Sequence, residues 1–279
     1  MLHTLSTTRS GRWLDRLDAV PPVAWLALQA TALWTHWRWA AARVADGSDE
    51  PLGVVALAAL LWAIARQART LRGNPHAGWL AAALALSLAA TAAVFNAPPL
   101  LGALTAALAL ACGLRAFMPS GRAALPLAGL AVLALPLVSS LQFYAGYPLR
   151  VLTAQLSTWL LQLCGMDASR LGSAMVVDGR LVIVDAPCSG VQMVWMAYFC
   201  ACAVAAFLDL SDRRFVARLP WVGALVLAGN VLRNSVLVAL EARQAALPQA
   251  LHEAIGLVVL ALVCAAVGAV MRGGRDATR

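Results

Sequence analysis

Three side chains in this chain could carry covalent chemistry. Cys188 stands in Val184-Asp185-Ala186-Pro187-Cys188-Ser189-Gly190, directly before an apolar stretch. Arg233 lies inside the next apolar stretch, in Asn230-Val231-Leu232-Arg233-Asn234. His252 opens the one after that, in Leu251-His252-Glu253-Ala254-Ile255-Gly256. A thiolate can attack an amide carbonyl, a guanidinium can stabilise the oxyanion or support proton transfer, and an imidazole can act as general base or acid.

The flanking residues bear on each reading. Ser189 followed three residues later by Gln192 fits a capping box with Ser189 as N-cap. Cys188 would then precede a helix N-terminus, where the N–H groups and the dipole favour a thiolate and could hold an oxyanion. Gly190 leaves room for a substrate backbone. The alternative is a buried interfacial thiol. Asn230, Arg233, Asn234, Leu237 and Glu241 share a helical face by 3/4 spacing. A charge within a span costs about 2.5–3.5 kcal/mol on insertion scales, so Arg233 should face protein or water. Its two readings are a functional cation and an ion pair with Glu241 or Asp185. Gly256, one turn after His252, allows close helix packing.

The elements that must position these groups are membrane helices. Of 279 residues, 62% are apolar and 12% charged, and the mean hydropathy is +0.77. Soluble domains are about half apolar and a quarter charged, so the composition indicates an integral membrane protein. All 21 basic residues are Arg, in short clusters between apolar segments. That pattern fits membrane orientation and argues against a nucleic-acid partner. No cleavable signal peptide is expected, because the first 19 residues are polar and the first apolar stretch lacks a small-residue cleavage site.

With about 20 apolar residues per span, eight spans are expected. They are approximately Pro22–Ala42, Pro51–Ala65, Ala77–Phe95, Pro98–Leu114, Leu125–Tyr144, Ser189–Leu208, Leu219–Ala239 and Ala254–Met271. Fourteen arginines then fall in segments on one side and five on the other, which puts both termini in the cytoplasm. Cys188, Arg233 and His252 converge near the outer face. His3 and His76 fall inside, leaving His36 as the competing imidazole. The one large outer segment is 146–187. Within it Arg150–Leu163 has the spacing of an amphipathic interfacial helix. Apolar runs Ala174–Val177 and Arg180–Val184 around Asp178-Gly179 signal a β-hairpin. The expected fold is all-α and membrane-integral, one polytopic domain, with that helix and hairpin outside.

Cys112, Cys200, Cys202 and Cys264 lie in apolar runs, where thiols behave as small hydrophobes. Cys200-x-Cys202 is too isolated for a metal site. Neither a metal nor a cofactor is expected.

In this order and topology, Cys188-Ser189-Gly190, Asn230-Val231-Leu232-Arg233 and His252 with Gly256 resemble the exosortase/archaeosortase family. That family's signature is Cys-Ser/Thr-Gly at the outer start of one span, Asn-x-x-Arg in the next and a His or other basic residue opening the last. The resemblance covers residues 125–271 as a catalytic core, with the spans in 1–124 alike in general character. It implies a cysteine protease/transpeptidase of the bacterial inner membrane, exopolysaccharide-associated. Its substrates would be exported proteins with a C-terminal sorting signal: a Pro-containing motif, an apolar helix and a basic tail. It further implies an acyl-thioester on Cys188, Arg233 as proton donor, His252 as transition-state stabiliser or base, and release to an acceptor nucleophile or water. Pro187 before Cys188, and Asp185 where many members carry Glu, depart from the pattern. Two other classes fit the composition: a non-enzymatic transporter or assembly factor, and a membrane acyltransferase taking its acyl group from membrane lipid onto Cys188.

Overall fold

Ala and Leu dominate the apolar stretches, and both favour helix strongly, so these stretches fold as helices. The computed structural model describes residues 20–183, 190–243 and 248–273. The chain divides into two compact units, Met1–Leu135 and Pro136–Arg279.

The first unit contains α1 (Pro22–Ala32), α2 (Trp34–Ala45), α3 (Leu52–Gln67) with a short 3-10 turn after it, α4 (Ala77–Asn96), α5 (Pro99–Phe117) and α6 (Leu125–Leu133). Pro22 and Pro99 open their helices, where a missing N–H costs nothing. The α4–α5 pair buries Ala83, Ala90, Ala103 and Ala106, small residues that let helix backbones approach in the absence of water. Arg66 lies 4.9 Å over the Trp62 ring and Arg38 4.8 Å over Trp34, cation–π pairs suited to a membrane boundary.

The second unit contains α7 (Val138–Leu163), strands β1 (Ala168–Leu171), β2 (Ala174–Val177) and β3 (Arg180–Ile183), then α8 (Val191–Phe207), α9 (Asp212–Arg243) and α10 (Gln249–Arg272). The strands form an antiparallel sheet in the order β1-β2-β3, with Ala168 opposite Val177 and Ala174 opposite Ile183. Asp178 (φ 50°) and Gly179 (φ 76°) both sit in the left-handed region, as a two-residue hairpin turn that follows the strand twist requires. Ala168, Met175, Val177 and Val182 of the sheet form one core with Leu161 of α7 and Leu237, Val238 and Ala242 of α9.

The protein is mainly helical. Among the described residues, five helices are long and apolar enough to cross a membrane, or six if α6 and α7 together make one broken span. The expected first span is two short helices joined at Leu33, whose N–H still bonds to Gln29 O and Ala30 O, so the junction is a kink. α8 is apolar but only 17 residues long. The expected outer helix Arg150–Leu163 is the second half of α7, which runs continuously through Gly146 and Pro148. Its apolar side chains at Leu152, Trp159 and Leu163 take the exposed face, as an amphipathic helix against lipid would present them. Thr153, Ser157 and Thr158 are at most 3% exposed. In a membrane the hydroxyls need partners inside the protein and the hydrocarbon can face lipid.

Candidate functional site

All the singled-out chemistry falls within the second unit. Cys188, Ser189 and Asp185 lie outside the described residues. The residue after them, Gly190, is buried at the start of α8 with φ 82°, and is its N-cap without a side-chain cap bond. The helix therefore begins one residue later than a Ser189 cap would set it. The left-handed φ is glycine's own, because a Cβ there would meet the following carbonyl. Asn230 adds a second constraint. A Cβ built on Gly190 would stand 2.8 Å from Asn230 Cγ and Nδ2.

Asn230 belongs to a buried polar ladder between α7 and α9. Its Nδ2 donates to Thr153 Oγ1 at 2.9 Å, and one turn on, Asn234 Nδ2 donates to Ser157 Oγ at 3.0 Å. Asn234 Nδ2 also lies 3.5 Å from Met175 Sδ on β2. The i, i+4 spacing on both helices produces the rungs. Thr153, Ser157, Asn230 and Asn234 are each at most 3% exposed. Thr153 and Ser157 escaped the sequence reading. Their signal was a pair of hydroxyls one turn apart, matching the spacing of Asn230 and Asn234.

Arg233 leaves the ladder and turns to α10. A Cβ built on Gly256 would stand 3.2 Å from Arg233 Nε and 3.4 Å from Cζ, so the guanidinium lies against the bare glycine backbone. His252 precedes Gly256 by one turn and shares that face of α10. Both Arg233 and His252 are half-buried. The expected shared face of α9 is thus divided between two neighbours. Asn230 and Asn234 look to α7, while Arg233 looks to α10.

The competing imidazole is engaged within the first unit. His36 is 5% exposed, its Nε2 is 3.1 Å from Ala90 O, and its ring packs against Gly102. Cys200, Cys202 and Cys264 lie within α8 and α10 as free thiols, and Cys200 Sγ approaches Cys264 O at 3.6 Å. That is packing between two helices.

α9 is thus the hub of the site. It contacts the entry to α8 through Asn230 and the entry to α10 through Arg233. Such an arrangement can hold a fixed cation against the helix face that carries His252, one turn along α9 from the contact with Gly190.

A family model described as transmembrane exosortase matches residues 39–269, most of the chain. No curated protein and no solved structure matches it.

Proposed function

The chain belongs to the transmembrane exosortase family, and on that premise we propose that it is a membrane-embedded cysteine protease/transpeptidase. It cleaves C-terminal sorting signals of exported proteins, each a Pro-containing motif followed by an apolar helix and a basic tail. The observation that carries this reading is the Arg233–Gly256 contact, one turn from His252 on a helix face shared with it.

In the proposed mechanism the Cys188 thiolate attacks the scissile carbonyl. The N–H groups at the start of α8 and the Arg233 guanidinium meet the oxyanion, since a guanidinium keeps its charge at any physiological pH. His252 transfers the proton that lets the leaving amine depart, producing an acyl-thioester on Cys188. An acceptor nucleophile, or water, then takes the acyl group and frees the thiol. Asn230 and Gly190 are positioning residues, and Ser189 and Asp185 flank the nucleophile.

The chain acts as one polytopic domain with residues 125–271 as its catalytic core. We place the site at the outer face of the bacterial inner membrane, with both termini in the cytoplasm. The arginine asymmetry supports this orientation. The helix length separates the two ends of α9 across the membrane. Arg214 and Arg233 are 19 residues apart on α9, about 28 Å of helix, close to the roughly 30 Å of a hydrocarbon core.

The test is co-expression with an exported protein carrying such a signal. Wild type should process it, and Cys188→Ala, Arg233→Gln and His252→Ala should each accumulate precursor. Normal processing by Cys188→Ala would sink the assignment.

A further inference from the structure

The end of the second unit remote from Arg233 contains a feature that the proposed reaction does not use. A cavity of about 340 Å³ opens where α8 ends, α9 begins and α10 ends. Arg214, Arg218 and Arg272 line it, with Asp209 as the single lining carboxylate and Leu210 and Met271 among its apolar walls. Three guanidiniums against one carboxylate leave the cavity positive. Asp212, the acidic residue in the first turn of α9, is not among the lining residues.

Arg218 is built into the wall. It donates through NH1 to Met271 O at 2.7 Å and through NH2 to Gly273 O, both at the C-terminal end of α10. There a cation satisfies carbonyls that the helix leaves over. Arg214 and Arg272 are exposed and carry the charge that faces outward. α9 and α10 are both long enough to span, so the cavity sits where their ends reach the membrane boundary. A lining that joins guanidiniums to apolar side chains suits an amphiphile with an anionic head.

We infer that this cavity binds the phosphate headgroup of an anionic phospholipid at the membrane face opposite Arg233 and His252. Arg214 and Arg272 contact the phosphate, and Arg218 fixes the geometry of the cavity. A cationic peptide is a poor occupant, because it meets a net positive lining. The inference stands independently of the proposed peptidase reaction.

The experiment is native mass spectrometry of the purified full chain, titrated separately with phosphatidylglycerol, phosphatidylcholine and inorganic phosphate. Wild type should retain one phosphatidylglycerol in preference to phosphatidylcholine. The double variant Arg214→Gln/Arg272→Gln should bind it about 30-fold more weakly, each basic residue near a lipid surface contributing roughly five-fold. Arg213→Gln, outside the lining, should bind as wild type does, and Arg214→Lys/Arg272→Lys should recover most of the affinity. Equal retention of the two lipids by wild type would overturn the inference. So would unchanged retention by the double variant, or displacement of the lipid by millimolar inorganic phosphate, which would mark a free-anion site.

Discussion

The carboxamide of Asn230 occupies the space into which any side chain on Gly190 would project: a Cβ built there would stand 2.8 Å from Asn230 Cγ and 3.1 Å from Oδ1. Residue 190 is two positions after Cys188, so the contact ties the start of α8 to the middle of α9. Gly190→Ala should cost about 1–2 kcal/mol for the left-handed backbone alone, and more for displacing Asn230. The expected outcome is a lowered melting temperature in detergent together with loss of substrate processing. An alanine variant as stable and active as wild type would show that the contact positions nothing.

Gly256 leaves the room that the Arg233 guanidinium fills. Gly256→Leu should push the guanidinium away from the His252 face while leaving α10 helical. We expect processing to fall by about ten-fold or more, equivalent to roughly 1.4 kcal/mol of transition-state stabilisation. The folded fraction on size exclusion should stay unchanged. Arg233→Lys keeps the charge but loses the planar fork, and should fail to restore full rate. Full activity in Gly256→Leu would separate Arg233 from this packing.

The ladder between α7 and α9 predicts a coupling energy. In a double-mutant cycle of Ser157→Ala and Asn234→Ala, the interaction term should be near 0.6 kcal/mol and no more than about 1.7, the span measured for hydrogen bonds within membranes. Reversible unfolding of the full chain reads it. A term of zero would mean that this rung contributes nothing.

Some of this architecture was legible in the sequence for reasons of local physics. Asp178-Gly179 between β-branched runs can hardly do other than form a tight hairpin, and it does. Arg233 in an apolar run had to face protein or water, and its guanidinium lies against Gly256. The rest depended on tertiary context. β1 is Ala-Ser-Arg-Leu, a segment with no β-branched residue to announce a strand, and it pairs because the hairpin offers an edge. The sequence places an outer helix from Arg150 onward, yet α7 runs into it unbroken through Gly146 and Pro148. The spacing of the apolar residues of α7 says nothing of what Thr153 and Ser157 bond to. Their partners are on α9, more than seventy positions away. The kink at Leu33 has no sequence cue that we can identify.

The two imidazoles should behave oppositely. His36 bonds to Ala90 O in the first unit, so His36→Ala should lower stability and leave the rate per folded molecule near wild type. His252→Ala should leave stability near wild type and abolish processing. Comparing rates normalised to folded protein decides between them, and a rate loss confined to His36→Ala would reverse the assignment.

The acyl-enzyme is the central claim, and hydroxylamine capture tests it most directly. The purified protein is mixed with a sorting-signal substrate, quenched in acid, and mapped by mass spectrometry with and without hydroxylamine. The account predicts a substrate-derived peptide joined to Cys188, released by hydroxylamine as the hydroxamate of the residue at the cleavage point, and absent from Cys188→Ala. Cleavage that proceeds with no hydroxylamine-sensitive peptide on Cys188, or a fatty acyl group there in its place, would contradict it.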